Sequence, residues 1–290
     1  MGESLPRVLG TLCVVQRERS RSYLLADEGQ RAAEAGRLDR QARLLFPLER
    51  GALAAHGLEP GHTVVDLGCG QGTYLQLIAE AFANTRCVGL DRHPGLLGDA
   101  RARPGVMAVA QCDLAGQAAL LRELDRFLPD LVLCRFVLQH MAPAERTAML
   151  STLAEHASKR AVRVVLADVD SASSFFEPPS PLLSEAHQGL EALQARSGGD
   201  RRIGARLPDL LRAAGFESPR ASRVLVDSRT TGFGAWWSAF GSPLSAGLAS
   251  RPAAQEALLE WGTHPATGDS FRAGFEVCFA SSGSVRRASG

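Results

Sequence analysis

From about residue 63 onward, short apolar runs alternate with amphipathic stretches. Residues 63–67, 86–91, 106–112, 130–134 and 161–168 are each nearly continuous in apolar residues, which predicts strands covered on both faces. Between them, 74–82, 94–101, 117–127 and 144–157 carry helical periodicity. Strand and helix in regular alternation predict a doubly wound, mostly parallel α/β sheet. A further helix is expected at 206–214, closed by Gly215, and two last strands at 220–226 and 271–280.

Three stretches depart from this rhythm. Residues 16–50 are charged and helical, with Leu38, Ala42, Leu45 and Leu48 on one face. Residues 171–204 carry Ser, Pro and Gly around a helical core at 182–195, and 228–268 hold Trp236, Trp237 and Trp261. We expect an N-terminal helical lid over 1–50 and a main domain over 51–290, its insertions at 171–204 and 228–268 covering the strand ends. Phe175, Phe176, His187, Trp236 and Trp237 lie in those insertions. They either wall a flat ligand or pack the cover.

Composition narrows the classes. The 290 residues are 45% apolar with a net charge of +1, which excludes a disordered chain. It also leaves no global basic field for a polyanion, so nucleic acid is not an expected partner. No apolar run approaches the roughly 18 residues of a membrane span, and the apolar stretch 8–15 lacks a cleavage site. Cys13, Cys69, Cys87, Cys112, Cys134 and Cys278 form no pair with zinc spacing. We therefore expect a reduced cytoplasmic protein with no metal.

Residues Asp66, Leu67, Gly68, Cys69, Gly70, Gln71 and Gly72 concentrate the chemistry. A strand ends in a carboxylate, and alternate glycines let the backbone turn sharply beneath a ligand. The turn feeds a helix whose first N–H groups can face an anion. A dinucleotide fingerprint would place a glycine at 73, where this chain has Thr73. Asp91 closes the next strand, where an acid can accept both hydroxyls of a ribose.

These features, in this order, resemble the class I S-adenosylmethionine-dependent methyltransferases, over about residues 60–170. Asp66 to Gly72 is similar to the family's first motif, and Gly89, Leu90 and Asp91 to its second. Gln111, Cys112, Asp113 and Leu114 resemble the third, and the strand ending at Cys134 and Arg135 the fourth. Upstream, Glu34, Arg37, Leu38 and Gln41 resemble a lead-in of bacterial small-molecule members. The resemblance implies a Rossmann-like, seven-stranded sheet with its last strand antiparallel, and S-adenosylmethionine as cofactor. It further implies cofactor contacts from Asp66, Gly68, Cys69, Gly70, Asp91, Arg92, Cys112, Asp113, Leu114 and Arg135, with Tyr23 and Arg37 reaching in from the lid.

Methyl transfer to an oxygen or nitrogen of a small molecule, in bacterial specialised metabolism, is the expected function. Such a displacement asks mainly for alignment in a dry pocket, with a base only where the acceptor must lose a proton. His140 is the candidate base, unless it serves helix packing. Three alternatives stay open: a methyltransferase acting on RNA or protein, a nicotinamide oxidoreductase, which Thr73 in place of glycine disfavours, and a protein that binds the cofactor without turning it over.

Overall fold

The computed structural model describes residues 28–264 and 271–285. Helix α1 (Glu28–Ala55) leads into β1 (Thr63–Leu67), α2 (Thr73–Ala81), β2 (Arg86–Asp91), α3 (Pro94–Arg101), β3 (Val106–Gln111), α4 (Gln117–Phe127) and β4 (Leu131–Arg135). A 3₁₀ turn (Leu138–His140) precedes α5 (Pro143–Lys159), β5 (Arg163–Glu177) and α6 (Pro181–Arg196). A second 3₁₀ turn (Ile203–Arg206) opens α7 (Leu207–Ala213) and β6 (Arg220–Asp227). The short α8 (Ser228–Thr231), α9 (Phe233–Ala246), α10 (Pro252–Thr263) and β7 (Arg272–Ser282) complete the chain.

The seven strands lie in the order β3-β2-β1-β4-β5-β7-β6. β7 runs antiparallel to both β5 and β6, and the remaining pairings are parallel. The order reverses between β1 and β4, which opens a crevice at the carboxyl ends of those strands. The strands are apolar on both sides because both faces are covered. Val64, Leu131, Leu133 and Val165 pack toward α1, α2 and the cover helices. Val65, Val88, Val132 and Leu166 pack toward α4, α5 and α7.

Local signals set the helix starts. Pro94 and Pro143 each occupy the first helical turn, where a missing N–H costs nothing. The Glu145 carboxylate accepts the Ala142 N–H at 2.8 Å, and Ser180 Oγ accepts the Leu183 N–H at the start of α6.

Two expectations change in extent. Helix α1 continues unbroken past residue 50 to Ala55, so the cap joins the main domain through a single rigid element. Strand β5 extends to Glu177 instead of stopping near 168. An irregularity between Asp170 and Phe175 absorbs the Ser-rich stretch, and Phe175–Glu177 resume pairing with β7. Residues 171–177 thus belong to the sheet, and the cover over this edge is α6. No helix among the described residues is long and apolar enough to cross a membrane.

Candidate functional site

A cavity of about 1040 Å³ opens over the carboxyl ends of β1, β2 and β4, between α1 on one side and α6 and α9 on the other. Its floor is the glycine turn. Gly68, Gly70 and Gly72 all have positive φ (76°, 55° and 76°). A Cβ on Gly68 would run into Val137, whereas one on Gly70 would meet nothing within 4 Å, so Gly70 presents bare backbone to the cavity.

Asp91 holds this turn in place. Its Oδ2 accepts the Gly70 N–H at 2.9 Å and its Oδ1 the His93 N–H at 2.8 Å. The carboxylate stays at the cavity wall with lone pairs to spare for a ligand. Asp66 is buried beneath the turn, and loss of hydration pushes its carboxyl up to about 7 against the pull of Arg135. Cys69, Arg92, Asp113 and Leu114 also line the cavity. Cys112 does not: its side chain is buried in the core toward α4 and α5.

Arg135 reaches the cavity, but its charge is spoken for by an acid that the linear motifs did not reveal. Its Nε and one terminal nitrogen donate to the two oxygens of Glu49 at 2.8 and 3.0 Å. The guanidinium is stacked between the rings of Tyr74 and Phe136, 4.2 and 4.0 Å from their centroids. Tyr74 Oη donates to the same Glu49 at 2.6 Å. A signal for Glu49 does exist in the sequence. It falls four residues after Leu45 and four before Leu53, on the buried stripe of α1.

The rest of α1 is latched to the glycine turn. Asp39 Oδ1 accepts from Thr73 Oγ1 at 2.9 Å and from Arg103 at 2.8 Å, and Gln71 Nε2 donates to the Ala35 carbonyl at 2.8 Å. Burial opposes the Asp39 charge, yet bonds from Arg43 and Thr73 and the two nearby arginines hold its carboxyl below the usual range. Arg37 and Gln41 both line the cavity. Arg37 is clamped by Glu34 and donates to the Ala239 carbonyl of α9 at 2.9 Å, tying lid to cover. Tyr23 lies outside the described residues.

His140 lines the cavity but is a poor proton acceptor. Burial, followed by the charges of Arg201, Arg92 and Arg37, pushes it down to about 3. Asp168 is fully buried, accepts the N–H groups of Gln139 and Val169, and is pushed up to about 7 by loss of hydration. Of the aromatic candidates, Phe176, His187 and Trp236 line the cavity. Phe175 packs under Arg272, and Trp237 lies in the aromatic cluster around Phe233 and Trp261.

This sheet order, with a glycine turn after β1 and an acid closing β2, defines a Rossmann-like domain of the class I methyltransferase type. Residues 65–162, from β1 to the threshold of β5, match the family described as "Methyltransferase domain". It is similar to trans-aconitate 2-methyltransferase of Acidovorax sp. (strain JS42), 40% identical over 84 residues, or 29% of this chain and 30% of that protein. The enzyme of the same name from Methylobacterium radiotolerans is 38% identical over 87 residues, 30% of this chain and 31% of its own. The match therefore spans less than a third of these relatives' length. Among solved structures, magnesium protoporphyrin IX methyltransferase from Synechocystis PCC 6803 superposes with a TM-score of 0.42 at 22% identity, covering 74% of this chain and 88% of that one. Phosphoethanolamine N-methyltransferase 2 of Haemonchus contortus gives 0.46 at 14% identity, covering 84% and 57%.

Proposed function

We propose that this chain transfers a methyl group from S-adenosylmethionine to an oxygen or nitrogen of a small molecule, in the cytoplasm and in bacterial specialised metabolism. The observation that carries this reading is the Asp91 carboxylate, fixed by Gly70 and His93 at the wall of a cavity large enough for a nucleoside cofactor and a second molecule. The residues present fit that cofactor. Asp91 would accept vicinal ribose hydroxyls, Asp113 and Leu114 would frame the base, and the bare backbone at Gly70 would admit the amino-acid end.

When bound, the cofactor supplies a methyl group already activated on a sulfonium. The protein's work is then to align acceptor and methyl and to keep water out. Arg135 and Tyr74, both held by the buried Glu49, form a wall for this purpose, and α1 closes the cofactor end through Asp39 and Gln71. The relatives' name makes trans-aconitate the first acceptor to try.

Calorimetric titration with S-adenosylmethionine, its product S-adenosylhomocysteine (SAH) and NAD(P)H tests the reading. Micromolar binding of the first two, weakened at least 100-fold in Asp91→Ala, is expected. Preference for NAD(P)H, or no binding, would sink it. An acceptor screen by mass spectrometry follows.

A further inference from the structure

Beyond the glycine turn, the cavity is roofed by α6 and α9, which lie outside the family-matched segment. Its wall here is aromatic. Phe176 on the β5 extension, Trp236 and Phe240 on α9, and Phe275 on β7 all line it. The Trp236 and Phe240 centroids are 5.5 Å apart, and those of Phe240 and Phe275 5.0 Å apart at 81°, so three rings form one continuous surface.

This wall is held firmly. α6 and α9 meet backbone to backbone, and a Cβ on Gly189 would lie under 3.0 Å from the Gly247 carbonyl. That crossing fixes the turn of α6 carrying His187, whose ring stands edge-on to Phe176 at 6.2 Å.

None of the polar groups that line the cavity on this side is a carboxylate. The acids that line the cavity (Glu34, Asp66, Asp91, Asp113 and Glu145) come from α1, the ends of β1 and β2, the turn after β3 and the start of α5. On the cover side stand Ser171, Ser174, Gln194, Ser242 and His187, with the cations Arg196 and Arg201 at and just after the end of α6. On the cover side, the indole N–H of Trp236, a side chain 4% exposed, and Nε2 of His187 are buried cavity-lining nitrogens without a hydrogen-bond partner among the described residues. Buried polar groups are normally satisfied, and an orphan on a cavity wall points to a ligand that satisfies it.

We propose that the cover half of the cavity takes a planar aromatic substrate bearing a hydroxyl or carbonyl oxygen, seated on Phe240 and Phe275 and hydrogen-bonded to Trp236 and His187. The word substrate rests on the methyl-transfer reading above; the aromatic site does not. An aliphatic polycarboxylate gains nothing from the three rings and would be drawn instead to Arg196 and Arg201, which makes it the competing occupant in the test.

The test is calorimetry on the protein saturated with SAH, titrated with 2-naphthol and with trans-aconitate as probes. Naphthol should bind at least tenfold more tightly. Phe240→Ala should weaken it at least tenfold, and Trp236→Phe, which keeps a ring and removes only the N–H, several-fold. SAH titration of each variant reports whether its fold survives. Equal or tighter binding of trans-aconitate, or naphthol binding indifferent to both substitutions, overturns the proposal. The naphthol titration is repeated without SAH. The aromatic site is thus decided even if SAH fails to bind, a result that would sink only the methyl-transfer reading.

Discussion

Glu49 and Arg135, 86 residues apart in sequence, meet through two parallel hydrogen bonds in a place where Glu49 is fully buried. The pair joins the lid helix α1 to the end of β4, beside the glycine turn. Loss of hydration works against the Arg135 charge, but Glu49, Tyr74 and Asp66 more than restore it, so the guanidinium is held above its ordinary value. Glu49 therefore fixes both the position of α1 and the cation under the cavity.

Removing one partner of such a pair leaves a buried charge without compensation. Glu49→Gln is expected to cost about 3–5 kcal/mol of unfolding free energy. The double variant Glu49→Gln, Arg135→Met should recover much of that loss, because no charge is then stranded. Urea unfolding of the three proteins measures both numbers. A single-variant cost below about 1 kcal/mol would mean the pair is solvated and the lid is not anchored through it.

Asp66 makes a claim about pH. Its carboxyl rises from 3.8 to about 7 on folding, first through loss of hydration, with Asp91 adding to the shift and Arg135 opposing it. A carboxyl raised on folding contributes stability that is fully present below its unfolded value and is lost as pH climbs through the folded one. The window is therefore about pH 4 to pH 7. Asp66→Asn, which does not titrate, should gain on the wild type by on the order of 3 kcal/mol between pH 4 and pH 8. Urea unfolding of both proteins without cofactor across that range reads the difference. A pH-independent difference would show that Asp66 is ionised throughout.

Much of this site was legible because it is local. Asp66, Gly68, Gly70 and Asp91 stand at strand ends within 26 residues of one another, and apolar runs mark those strands closely: 63–67, 86–91 and the start of β3 at Val106 agree with the structure. What escaped reading depends on segments brought together from far apart. Nothing near Arg135 announces Glu49, although an acid on the apolar stripe of α1 is a signal in itself. The Ser-rich stretch after Asp170 reads as a break, because only the partner strand β7 lets the chain pass an irregularity and resume pairing at Phe175. Cys112 follows its strand as the motif requires, but side chains alternate along a strand, and its turn falls to the core and not the cavity.

Gly189 and Gly247 went unnoticed for a related reason: a helical glycine reads as a weak spot until its neighbour is known. On propensity alone, Gly189→Ala within α6 would stabilise the protein by about 1 kcal/mol. The packing opposes it. A Cβ at 189 would press on the Gly247 carbonyl, and one at 247 on the Ala186 carbonyl, in each case under 3.0 Å from backbone that cannot swing aside as a side chain would. Forcing the helices apart costs about 1–3 kcal/mol for each overpacked site, so the net sign is destabilising. Either substitution separates the same two helices. The double variant should therefore cost less than the sum of the singles, as contacting sites couple. Because α6 carries His187 and α9 carries Trp236 and Phe240, which line the cavity, the same separation should weaken 2-naphthol binding and leave SAH binding, proposed for the glycine turn, unchanged. Urea unfolding and the two titrations measure these effects together. Strict additivity, or a Gly189→Ala protein more stable than the wild type, would mean that α6 and α9 do not meet as closely as this.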